Sequence, residues 1–197
     1  MKTGFPLAWP GQRIGLLGGS FDPAHEAHLM ISRVALRRLG LDRVWWLVSP
    51  KNPLKEHGPA PLDSRLEQAR RLVSDSRIRV TDIEARLGLR KTADTVRALV
   101  RMYPAVHFVW LMGSDNLVQF HRWDRWHQIA DTVPIAVMAR PGTRLAARNS
   151  TAARVLQRSR LPEAWAPTLA RRNAPTWVFL DLPMSRLSST ELRSAAR

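Results

Sequence analysis

Six apolar runs recur along the chain: RIGLL at 13–17, RVWWLV at 43–48, IRVTDI at 78–83, VHFVWLM at 106–112, IAVMA at 135–139 and WVFLDL at 177–182. Each is short enough for a strand buried on both faces. Amphipathic stretches with helical spacing separate the earlier ones. In AHLMISRVALRRL, Ile31, Val34, Ala35 and Leu39 share one helix face, and Gly40 supplies a left-handed stop. Ser64 and Glu67 form a capping box ahead of RLEQARRLV, and Thr92 opens TADTVRALVRM. Strands alternating with helices predict a three-layer, Rossmann-like α/β fold around a mostly parallel sheet with right-handed crossovers. With 197 residues the chain is expected to form a single domain, with 1–12 as an N-terminal extension.

In such folds ligands bind beyond the carboxyl ends of the strands, near the switch in strand order. The unusual stretches of this sequence fall there. After the first run comes GGSFDPAHEAH, where the chain is expected to turn at Gly18 and Gly19, whose missing side chains permit close approach of a ligand. The pattern is neither the dinucleotide GxGxxG nor a GxxxxGK phosphate loop. His25 and His28, three residues apart at a helix start, place two imidazoles beside free backbone N–H groups, a combination that suits phosphate oxygens. Taken alone, the pair reads equally as surface or capping histidines. Asp22 and Pro23 are read as turn residues. A second run, LSSTELR, places Ser188 and Glu191 as a capping box, so that 188–197 opens a terminal helix. Its Ser189, Thr190 and Arg193 could also cradle an anion.

The formal charge of +15 draws polyanions, and much of the arginine excess lies between Arg140 and Arg172. No nucleic-acid-binding motif accompanies it, so no dedicated nucleic-acid partner is expected; the region is read as a solvated flank, with a phosphate-facing arginine within it as the alternative. Zero cysteines exclude disulfides and thiolate chemistry. The absence of a long apolar span or an apolar leader predicts no membrane association and a cytoplasmic location. Nothing in the sequence specifies an oligomer. Trp45, Trp46 and Trp110 lie in strands and are read as core, and Tyr103 as packing.

Together the two anion-binding stretches resemble the signatures of the nucleotidylyltransferase α/β phosphodiesterase superfamily, and more narrowly of bacterial nicotinate-nucleotide adenylyltransferases. The family's GGTFDPxHxGH is here GGSFDPAHEAH, and its ISSTxIR is LSSTELR. The resemblance implies that Gly18, Gly19, Ser20, Phe21, His25, His28, Ser189, Thr190 and Arg193 contact ATP. His25 and His28 would stabilise the transferred phosphate. Weaker similarities lie between. A family loop ending in PHK resembles SPKNPLK and gives Lys55 a phosphate-facing role; a SYTxDT segment resembles RKTADT, placing Thr92 near the mononucleotide, with Asp94 and Thr95 in support. A GAD segment resembles MGSDNLVQFHRWDRW, which implies that Asp115 contacts the adenosine ribose and that Trp123 lines the nicotinate pocket.

Three positions depart from the family pattern: Ala27 for glycine, Leu54 for histidine and Ser114 for alanine, the last read as harmless. The resemblance implies transfer of AMP from ATP to nicotinate mononucleotide, with magnesium held mainly through the ATP phosphates. His25, His28, Lys55 and Arg193 would carry the catalysis. Adenylyl or cytidylyl transfer to another phosphate acceptor, such as nicotinamide mononucleotide or phosphopantetheine, is the alternative, because both phosphate motifs are common to the superfamily.

Overall fold

In the computed structural model, residues 5–50 and 59–181 are described. The strands are β1 (Arg13–Gly19), β2 (Arg43–Val48), β3 (Ile78–Thr81), β4 (His107–Gly113), β5 (Ile135–Met138), β6 (Arg160–Leu161) and β7 (Trp177–Leu180). They form one sheet in the order β3-β2-β1-β4-β5-β7-β6, with every pairing parallel. The helices are α1 (Glu26–Arg38), α2 (Leu62–Leu72), α3 (Ile83–Arg86), α4 (Thr92–Met102), α5 (Ser114–Gln119), α6 (Trp126–Thr132), α7 (Arg144–Arg148) and α8 (Thr151–Val155). A run of 3-10 helix covers Glu163–Arg171.

Alternation along each strand divides the interior into two cores. Trp45, Leu47, Trp110 and Met112 face α4, α5, α6 and α8, whereas Val44, Trp46, Val109 and Leu111 face α1, α2 and the Glu163–Arg171 turn. Apolar side chains on both faces explain why these strands read as continuous apolar runs rather than alternating ones. The strand order reverses between β1 and β4, which makes their carboxyl ends the switch point. Among the described residues no helix is long and apolar enough to cross a membrane.

The predicted strands are all present, within two residues at most ends. Gly40 stands at φ +59°, as a left-handed stop requires. Residues 5–12 are tied to the body: Tyr103 Oη donates to Pro6 O (2.8 Å) and Gly11 N to Ala105 O (2.7 Å). Three expectations are corrected. First, β1 runs through Gly18 and Gly19, and the chain turns after them: Phe21 takes φ 46°, and the turn itself falls on Asp22 and Pro23, the residues read as turn residues. Neither glycine has a positive φ; what each supplies is room. A Cβ on Gly18 would stand 2.6 Å from Trp110 Cη2, and one on Gly19 3.4 Å from Phe21 Cε2.

Second, α2 begins at Leu62 with Pro61 at its N-cap, so Ser64 lies inside the helix and makes no capping box; its hydroxyl accepts from Gln68 Nε2 instead. Proline pre-sets the backbone for helix entry more strongly than a serine three residues later. Third, the arginine-rich stretch is not a uniformly solvated flank. Arg144 and Arg148 both donate to Asp181 Oδ2 (2.6 and 3.0 Å), at the end of β7. Arg148 also lies over the Phe179 ring, and Arg160 over Trp177. Strand β6, only two residues long, carries too short a pattern to be read from sequence.

Candidate active site

The turn after β1 delivers two histidines to the switch point. His25 is the N-cap of α1, with extended backbone, and its N–H donates to His28 Nδ1 at 3.2 Å. Because Nδ1 accepts, a neutral His28 ring carries its proton on Nε2, which leaves that edge as a fixed donor. The two rings are 3.9 Å apart between centroids. His28 rests against Phe21 (4.7 Å), and Phe21 stacks on Trp46 (4.9 Å, interplanar angle 17°). Ser32, one turn along α1, donates to His28 O and accepts from Trp46 Nε1, both at 2.8 Å, so the indole under the stack is satisfied.

This enclosure governs the charge on His28. Its pKa is lowered to about 3, first because burial disfavours the imidazolium, then through repulsion from His25 and from Arg140. In the free protein His28 is therefore a neutral donor at physiological pH.

Across the switch point, Ser114 and Asp115 open α5 at the end of β4. Arg140, just beyond β5, donates from Nη1 to Asp115 Oδ2 at 3.2 Å. Its backbone N–H donates to Ser114 Oγ at 2.8 Å, and Ser114 Oγ lies 2.7 Å from Thr143 Oγ1. Ser114 is fully buried, and the serine read as a harmless change joins β4 to the loop after β5. Gly113 makes room for this pair, since a Cβ there would stand 2.3 Å from Asp115 Oδ1 and 2.7 Å from Arg140 Nε. Arg140 thus stands beside Asp115 and near enough to His28 to disfavour its charged form. The signal that could have found it is its position, directly after a strand end and before Pro141 and Gly142.

The segment expected near the mononucleotide lies on the other core face. Thr92 begins α4, and Asp94 in its first turn accepts from Arg125 Nη2 at 2.6 Å. Arg125 also reaches Asp124 (2.9 Å), and Lys91 pairs with Asp124 (3.3 Å). These contacts fasten the start of α4 to the turn that follows Trp123. Trp123 is partly buried, packed edge-on against Trp110 and Phe120 at 6.3 and 5.4 Å. Lys55, Ser189, Thr190 and Arg193 lie outside the described residues, as do Leu54, Ser188 and Glu191.

Beneath α4, Thr95 Oγ1 lies 2.9 Å from Glu84 Oε1 and 3.2 Å from Lys91 O. The Thr95 hydroxyl is the donor in both contacts, and its one proton is shared between the Glu84 carboxyl oxygen and the Lys91 carbonyl. Burial raises the Glu84 pKa to about 7, opposed by the Thr95 contact. A carboxyl group whose pKa rises on folding contributes stability that is complete below its unfolded value near 4.5 and is lost as pH rises through 7. Glu84→Gln, neutral at every pH, should match the parent's melting temperature at pH 4.5. At pH 8 it should exceed the parent by about 1 to 3 kcal/mol, measured by thermal unfolding at the two pH values. Equal melting temperatures at pH 8 would contradict a Glu84 carboxyl whose pKa burial has raised.

A cavity of about 910 Å³ lies along the open edge of β3, lined by residues that include Phe5, Trp9, Arg70 and Arg79. None of the described residues lining it belongs to the histidine cluster.

The cytidylyltransferase-like family model matches residues 16–195. A protein of Ruegeria pomeroyi described as "Probable nicotinate-nucleotide adenylyltransferase" is 57% identical over 195 residues, covering 99% of this chain and 92% of its own. Proteins of the same description from Cereibacter sphaeroides and Methylorubrum extorquens are each 59% identical, covering 93% and 92% of this chain and 97% and 99% of their own. Among solved structures, the Plasmodium falciparum nicotinic acid mononucleotide adenylyltransferase complexed with NaAD superposes with a TM-score of 0.70 at 18% identity. That likeness covers 93% of this chain and 83% of the other, and it concerns the fold. Identity above half, over nearly the full length of several relatives, makes this chain a member of the nicotinate-nucleotide adenylyltransferase family, within the cytidylyltransferase-like group.

Proposed function

We propose that this protein transfers AMP from ATP to nicotinate mononucleotide, giving nicotinate adenine dinucleotide and pyrophosphate. An oxygen of the mononucleotide phosphate attacks the α-phosphorus of ATP, forming the new P–O bond, and the bond from the α-phosphorus to the bridging oxygen breaks. The acceptor is anionic at neutral pH, since a phosphate monoester's second ionisation lies near pH 6, so no strong base is required. What the reaction needs is alignment of two anions and stabilisation of charge on the phosphoryl oxygens. The observation that carries this reading is the convergence of His25, His28 and Arg140 at the β1/β4 switch point, with His28 held as a neutral Nε2 donor.

In this reading His25 and His28 donate to the transferred phosphate, and Arg140 adds a cation beside them. Gly18, Gly19, Ser20 and Phe21 shape the phosphate-side wall, and Asp115, oriented by Arg140, faces the adenosine ribose. Thr92 and Trp123 form the acceptor side, where a flat indole suits a pyridine ring. Lys55, Ser189, Thr190 and Arg193 complete the triphosphate contacts by their place in the family motifs. Among the described residues no three or more histidine or carboxylate groups converge to cage a cation. Magnesium would arrive on the ATP phosphates and offset their charge there.

Pyrophosphate release from ATP should be measured in parallel with nicotinate mononucleotide, nicotinamide mononucleotide and phosphopantetheine. The expected result is a kcat/KM for nicotinate mononucleotide at least about tenfold above either competitor, a difference of 1.4 kcal/mol in transition-state binding. A higher value for one of the others would replace the acceptor; no turnover with any would overturn the reading.

A further inference from the structure

Arg65, on α2, is 1% exposed, and among the described residues its hydrogen bonds include no carboxylate partner. Its guanidinium donates to four backbone carbonyls: Nε to Ala60 (2.7 Å), Nη1 to Ser20 (2.6 Å) and Ser49 (2.9 Å), and Nη2 to Pro50 (3.2 Å). Ser20 is the exit of β1, Ser49 and Pro50 the exit of β2, and Ala60 the approach to α2. A buried cation is a costly means of stabilising a fold, and an apolar side chain of similar volume commonly does as well. What only a guanidinium supplies is a rigid planar fork of donors.

The carbonyl at Ser20 belongs to the peptide leading into Phe21, whose φ of 46° is a conformation that side chains with a Cβ adopt at a cost. Such strain persists only where neighbouring structure imposes it. Phe21 in turn forms the shelf between Trp46 and His28. We infer that Arg65 is a positioning residue for adenylyl transfer: by fixing the Ser20 carbonyl against the exit of β2 it holds Phe21 in its left-handed turn and so sets the His28 ring. This rests on the adenylyl-transfer reading above.

The test uses Arg65→Lys and Arg65→Met in the full chain, with kcat and KM for both substrates and 15N signals of the His28 imidazole without substrate. Lysine keeps the charge but lacks the fork and can serve only some of the carbonyls. In folded Arg65→Met, kcat should fall about 30-fold while both KM values change by no more than about threefold. The His28 nitrogens should move from one fixed tautomer toward an average of two. Arg65→Lys should be intermediate in both respects, and it carries the test if Arg65→Met does not fold. Wild-type kcat in a folded variant, or a lowered kcat with unchanged His28 signals, would overturn the inference. Absence of turnover in the parent protein would overturn the reading of function instead, leaving the imidazole signals to judge Arg65.

Discussion

Replacing His28 with alanine should lower kcat for pyrophosphate release about 100-fold, the usual loss for one donor aimed at a transition state. The protein should still fold. Ala keeps the helix, and the ring stands on the Phe21 shelf at the helix start, outside both apolar cores. KM for ATP should change little if the donor acts mainly as charge develops. His28→Gln should retain more activity than His28→Ala, because its amide nitrogen can stand near the place of imidazole Nε2. Wild-type turnover in folded His28→Ala would remove this ring from the reaction.

The same ring predicts a pH signature. His28 has a folded pKa near 3, below the usual 6.5. The unfolded chain therefore takes up the proton first as pH falls through 6.5, and about 1.4 kcal/mol of stability is lost per pH unit from there toward 3. His28→Gln should flatten that part of the stability profile. In the free protein the His28 nitrogens should not titrate between pH 5 and 8, as 15N NMR would report.

Gly18→Ala should destabilise the fold by about 2 to 3 kcal/mol, toward the upper end of what overpacking a core costs. The added methyl meets Trp110, which is 2% exposed and sits in the central strand β4. In a chain this long that corresponds to a fall in melting temperature of roughly 5 to 10 °C. Trp110 packs edge-on to Trp123, so displacement of its ring should also raise KM for the pyridine mononucleotide. Gly19→Ala, whose methyl would meet Phe21 at an ordinary contact distance of 3.4 Å, should cost far less. Trp110→Phe removes the outer ring atoms that Gly18→Ala would strike, so the double variant should recover part of the loss. A Gly18→Ala protein melting with the parent would show that Trp110 moves freely, and the account of this glycine would fail.

Much of the fold could be read without coordinates because its signals are local. Ile31, Val34, Ala35 and Leu39 mark the buried face of α1 at helical spacing, and all four are buried. Gly40 marks its stop by a backbone conformation that few other residues adopt. Among the described residues the apolar runs mark six of the seven strands, and β6 escaped because two residues carry no period. His25 and His28 were legible for the same reason: three residues apart at a strand-to-helix turn, their proximity is fixed by helix geometry. Ser64 and Glu67 misled because a capping pattern is only a local preference, and Pro61 outranked it.

What the amino-acid order determined by itself was the alternating architecture, the placing of the unusual stretches at the carboxyl ends of strands and the histidine pair. Only the tertiary structure decided how those residues are held and charged. Arg65 meets Ser20 across 45 positions of sequence, Arg140 meets Asp115 across 25 and Thr95 meets Glu84 across 11. Such meetings leave no period to read. The neutrality of His28 and the raised pKa of Glu84 likewise come from the removal of water by distant segments, an effect that exists only once those segments have packed together.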